Sequence, residues 1–137
     1  MHQFLGLCRS EGYLIISGGL VVHTFENNLE AFDIKTAKPI FKEFQKSIAQ
    51  AVMLQDVSLF LLIPLVTHRD SKLNYLWPQP AARRIALESL TNHPGFRAAH
   101  PREEHFIPLY IAAGAGESGE SRVVADIYGQ ATYAFGL

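Results

Sequence analysis

The chain has 137 residues, 48% of them hydrophobic, enough to bury the core of one domain and short for two. Twelve basic and thirteen acidic side chains, in no long run of either sign, exclude an electrostatic footprint for nucleic acid or an anionic membrane. A lone cysteine, Cys8, excludes an intrachain disulfide and a thiolate metal cluster and fits a reducing, cytoplasmic setting, so the expected partner is a small molecule.

The first residues, "MHQFLGLCRSEG", place Arg9 and Glu11 close behind a short apolar stretch with no charged region ahead of it, unlike a secretory signal. Residues 12–22, "GYLIISGGLVV", are aliphatic without alternation, which predicts a strand buried on both faces as in the parallel sheet of an α/β protein. Gly18 and Gly19 permit a close backbone approach, useful where a strand delivers a residue into a crevice, and His23 follows directly. The same letters also fit a plain turn and an exposed loop histidine.

Between residues 28 and 53 the apolar spacing turns helical. Ile40, Phe41, Phe44, Ile48, Ala51 and Val52 fall on one face of a helix beginning near Pro39, with Lys42, Glu43, Gln45 and Lys46 on the solvent side. Residues 57–79, "VSLFLLIPLVTHRDSKLNYLWPQ", suit their surroundings poorly. Their apolar part is about ten residues long and contains Pro64, against roughly twenty needed to cross a bilayer. His68, Arg69 and Asp70 within it read as a polar loop. Removing the segment joins Asp56 to Pro80 and gives "QDPAARRIALESL", an Asp N-cap followed by a proline at the first helical position. A helix is therefore expected over 80–91, with Ile85, Leu87 and Leu90 on its apolar side and Pro94 and Gly95 beyond its end. On its own the segment fits a buried strand followed by a loop, or a genuine surface insertion; the expectation is a translated intron, because a Val-Ser coding sequence can begin with GT, the closing Gln codon can be CAG, and 23 residues keep the reading frame.

Residues 99–116, "AHPREEHFIPLYIAAGAG", gather His100, Arg102, Glu103, Glu104 and His105 ahead of an apolar run. Proline is best tolerated in a first turn, so a helix begins close to His105 and ends at Gly114 and Gly116. Glu103 and Glu104 there complement the helix dipole, and His100 and His105 fit capping or packing roles equally well.

Taken with "LGLCRSEGYLIISGGLVVHTFENNLEAF", this segment resembles the class III extradiol ring-cleavage dioxygenases, including their DOPA dioxygenase branch. In that family a strand delivers a histidine, and an "AHPREEH" type segment precedes a helix; the ending "YGQATYAFGL" is similar to the family's closing strand. The resemblance covers both ends of the chain and omits 57–79. It implies an α/β fold, the C-terminal half of a three-layer αβα domain with a mostly parallel central sheet.

The same resemblance implies opening of the ring of a small catechol-type aromatic diol with O2 at a nonhaem Fe(II) or Zn(II) site. His23 and His105 are its implied catalytic and metal-site residues, Glu104 is the competing carboxylate ligand, and His100 supports them or is structural. A neutral imidazole titrating near 6.5 suits both ligation and proton transfer. Two histidines and a carboxylate suit Fe(II), whereas an all-histidine site suits Zn(II). The family's further metal-binding histidines lie on early strands of an N-terminal half, and this chain begins at what resembles the middle of the domain. Open strand edges then favour self-association. A non-catalytic α/β interaction protein or an inactive truncated remnant is the alternative reading of the same residues.

Overall fold

The computed structural model describes residues 2–25, 31–54, 81–117 and 119–137; the 57–79 segment, His68 and the Asp56 and Pro80 helix start lie outside them. The N-terminal helix α1, His2–Ser10, ends in a turn at Gly12, whose φ of 92° suits a residue without a Cβ. The Gly12 and Tyr13 amides donate to the Arg9 and Cys8 carbonyls at 2.9 and 3.1 Å, so the freed helix-end carbonyls are satisfied within the turn.

Helix α2, Pro39–Met53, starts at the expected proline and buries Phe41, Phe44, Ile48, Ala51 and Val52. Gln45 departs from its expected place in solvent. It is buried, donating to the Asp126 carboxylate at 2.8 Å and accepting the Gly129 amide at 2.7 Å, and so fastens the turn between the two strands. A buried amide with both ends engaged is stable where an unpaired one is costly.

Helix α3, Ala81–Ser89, continues as a 3-10 turn, Leu90–Asn92. Leu87 and Leu90 are buried as expected, but Ile85 is 63% exposed. Two residues along a helix are about 200° apart, so Ile85 cannot share a face with Leu87. Arg83, one turn before Leu87, takes the inward position, and its guanidinium donates to the carbonyls of Gly116, Glu117 and Gly119 and to the Ser121 hydroxyl. Short helix α4, Pro94–Ala99, is capped by His93, whose Nδ1 accepts the Gly95 amide at 2.9 Å. Helix α5, Ile107–Ala115, carries Pro108 in its first turn and packs on α1.

The core lies where α2 meets α3, α4 and the first strand. Phe44, Phe96 and Phe106 form a triangle with ring centroids 5.3 to 6.0 Å apart, in the tilted and edge-on arrangements aromatic rings prefer.

Strands β1, Ser121–Ala125, and β2, Thr132–Phe135, pair antiparallel with Ser121 opposite Phe135 and Val123 opposite Tyr133, and the register shifts between Val123 and Ala125. Mixed helix and strand is compatible with the expected α/β class. The expected mostly parallel sheet is corrected by this pair, the only sheet among the described residues, which is antiparallel. Residues 12–22 form no strand there either. The amides of Leu20, Val21 and Val22 bond to the His105 and Gly129 carbonyls instead of to a ladder, and Leu14 and Ile16 are 83% and 84% exposed. A strand exists only by its neighbours, and the described residues supply none.

Candidate functional site at a histidine pair

Two stretches remote in sequence run antiparallel alongside each other and place the histidines. Ser17 Oγ donates to the Pro108 carbonyl at 2.8 Å, and the Leu20 amide donates to the His105 carbonyl at 3.0 Å. Beyond them, His100 Nε2 lies 2.8 Å from the Val21 carbonyl, and the His23 amide donates to the Ala99 carbonyl at 2.8 Å. Gly19 lies inside this zipper, where a Cβ would run into the His105 carbonyl. The glycine allows the close approach that sets the register.

The register brings His23 and His105 ring to ring. Their centroids are 3.9 Å apart with planes inclined by 31°, and both side chains are half-buried. The Phe25 ring meets His23 edge-on, with centroids 5.3 Å apart. His105 occupies the turn just before α5 rather than the helix itself.

His100 lies beneath the pair, fully buried and in contact with the rings of Phe44, Phe96 and Phe106. The Val21 carbonyl calls for a proton on Nε2, which leaves Nδ1 as an acceptor, and that atom is buried without a partner. Burial holds the His100 pKa below its ordinary value; the Val21 carbonyl pulls upward, and His23 and His105 push further down. A neutral imidazole is thus fixed under the pair, tied to the carbonyl two residues before His23.

The carboxylates divide. Glu104 is exposed, near enough to act on the His100 charge. Glu103 pairs with Arg97 from α4, which holds its carboxyl below the usual range. Neither belongs to the first turn of α5, so the expected dipole role is replaced, for Glu103, by an ion pair across the loop. His93 serves as the α4 cap.

Among the described residues no group of three His, Cys, Asp or Glu side chains is placed to hold a metal ion. The histidine pair supplies two donors, short of the two histidines and a carboxylate of a nonhaem iron site or the three protein ligands of a catalytic zinc. The residues described therefore do not fit a complete metal centre. Two surface hollows of about 390 and 370 Å³, one beside Leu54 and His93 and the other beside Arg84 and Tyr110, are lined by neither His23 nor His105. No helix of the described residues is long and apolar enough to cross a membrane.

The close approach expected of the glycine pair is made by Gly19, whereas Ser17 and Phe25 are not legible in the sequence as site residues. "SGG" ahead of a histidine signals a close approach without naming the partner, and nothing local marks Phe25, two residues past His23, as its ring neighbour.

One curated relative matches nearly the whole chain. Over 135 residues the chain is 44% identical to the "4,5-DOPA dioxygenase extradiol-like protein" of Schizosaccharomyces pombe (strain 972 / ATCC 24843). The likeness is to a dioxygenase-like protein. The match takes in 98% of this chain and 37% of that protein, in its C-terminal part, so the chain spans well under half the length of the relative. No family model matches the chain, and no solved structure does.

Proposed function

We propose that the chain is the C-terminal portion of a DOPA-dioxygenase-like extradiol domain, in which His23 and His105 face the hydroxyls of a small aromatic diol whose ring is opened with O2. The observation that carries this reading is the stacked pair of imidazoles, delivered to one place by the two segments that resemble the family. The 44% identity to an extradiol-like protein supports it independently.

In this reading His23 and His105 work as a unit. One ring accepts a proton from a diol hydroxyl while its neighbour stays neutral and available as a donor or ligand. Phe25 gives His23 an apolar side, which limits water there. His100 keeps the Val21 carbonyl, and through it the approach of His23, in place. The remaining donors of an Fe(II) or Zn(II) centre would be supplied by the part of such a domain that this chain does not match. A cytosolic setting, where Cys8 stays a thiol, accords with this chemistry.

Metal titration of the purified chain tests the pairing. Zn(II) or Fe(II) binds weakly, and His23→Ala or His105→Ala abolishes the binding while His68→Ala leaves it unchanged. Binding that survives both the His23→Ala and the His105→Ala change would place the metal elsewhere and overturn the site.

A further inference from the structure

We propose that Gln45, a side chain of α2 remote from both histidines in sequence, is a positioning residue for the His23 and His105 pair. The inference rests on the reading above that this pair is the working site, and adds to it the element that holds His23 in register.

The residues just ahead of His23 are tied to two different parts of the molecule. His100 meets the Val21 carbonyl from the loop that also carries His105. The Val21 amide goes elsewhere, donating at 3.1 Å to the Gly129 carbonyl, which the Val22 amide approaches at 3.5 Å. Gly129 is buried in the turn between β1 and β2 and has a φ of 76°, a conformation that glycine adopts without strain. Its own amide donates to Gln45 Oε1 at 2.7 Å. A continuous path of hydrogen bonds thus runs from α2 through Gly129 to Val21, two residues before His23. Both main-chain polar groups of Val21 are engaged by it, the carbonyl by His100 and the amide by the residue that Gln45 fixes.

Gln45 suits this task because its amide has one orientation. It is buried, and Nε2 donates to the Asp126 carboxylate at 2.8 Å while Oε1 accepts from Gly129. Turning the amide over would set donor against donor at Gly129 and acceptor against carboxylate at Asp126. The other helix side chain with a comparable set of buried bonds, Arg83, bonds to residues 116–121 and enters no bond of this path. Rings whose centroids are 3.9 Å apart leave little slack, since a working constellation is held to within about 0.5 Å by the groups behind it.

The test uses the full chain with ring-labelled histidines. In the wild type a nuclear Overhauser effect connects the His23 and His105 rings. Gln45→Leu, close in size and without either bond, is expected to lose that effect, shift the His23 resonances and weaken catechol binding roughly tenfold or more. Arg83→Met, which destabilises the fold without touching the path, keeps the ring contact and the affinity, and so separates positioning from stability. Asp126→Ala lies at an exposed position and frees only one end of the Gln45 amide. It moves the His23 resonances in the same direction by a smaller amount, and decides the matter should Gln45→Leu not fold. Ring contact and affinity unchanged in Gln45→Leu, His23 resonances unmoved in Asp126→Ala, or equal losses in Arg83→Met overturns the proposal. A ring contact that Gln45→Leu removes, in a wild type that does not respond to catechol, contradicts the diol reading and leaves the positioning role standing.

Discussion

His100 shows how one buried side chain ties the core to the candidate site. Its Nε2 sits on the Val21 carbonyl, and its folded-state pKa lies below the ordinary value because it is buried. The sign follows directly: below about 6.5 the unfolded chain binds the proton that the folded chain excludes. This group's stabilising contribution is full above that pH and is lost as pH falls from there toward the folded-state pKa. His100→Gln keeps a donor for Val21 and removes the titration, so the variant's unfolding free energy is expected to fall less steeply than wild type between pH 7 and 5 in urea titrations. Parallel pH profiles for the two proteins would contradict the placement of a neutral imidazole. Gly19 is the second informative residue. Gly19→Ala forces a Cβ into the His105 carbonyl, and an overpacking cost of about 1–3 kcal/mol with loss of the ring stacking is expected from thermal unfolding and histidine ring NMR.

At the scale of elements, α3 and the C-terminal strands are held together by Arg83. Its guanidinium is buried and meets carbonyl and hydroxyl oxygens from Gly116 to Ser121, while the Ser121 hydroxyl donates on to the Val52 carbonyl of α2. Arg83→Met leaves those acceptors unpaired, and a loss of about 3 kcal/mol is expected in chemical denaturation. Ile85→Ala, at the exposed position beside it, costs less than about 0.5 kcal/mol. Tyr133 on β2 gives the opposite sign. Its hydroxyl is buried without a partner, so Tyr133→Phe is expected to raise stability by about 1 kcal/mol.

These elements also mark what the sequence reveals. Helix α2 is legible because its spacing and Pro39 are local properties, and the same holds for the proline and glycine bounds of α5. Gln45 and Arg83 are not, because a polar residue's burial depends on acceptors supplied by distant loops. The 12–22 segment misleads for the complementary reason: aliphatic composition records a preference for burial, and burial needs a neighbour that the described residues lack. Of the site, His23 and His105 are visible through a family likeness in two segments and Gly19 through the glycine pair before His23, whereas Ser17 and Phe25 become meaningful only once those segments lie side by side.

For the whole molecule, the proposed reading takes the stacked histidines as one part of a larger dioxygenase-like domain, and the match to the C-terminal part of the S. pombe protein supports it. Residues 57–79 lie outside the described residues, and we propose from their sequence alone that they are a translated intron. Sequencing the mature transcript is expected to find those codons absent; abundant message and soluble protein retaining them would establish a true insertion.

The central claim, that His23 and His105 form one working site for an aromatic diol, is tested most directly by NMR of ring-labelled histidines during titration with catechol. The account predicts that the resonances of His23 and His105 move together with a single dissociation constant, that those of His93 stay in place, and that His105→Ala removes the response at His23. Independent titration of the two rings, or a response confined to His93, would contradict it.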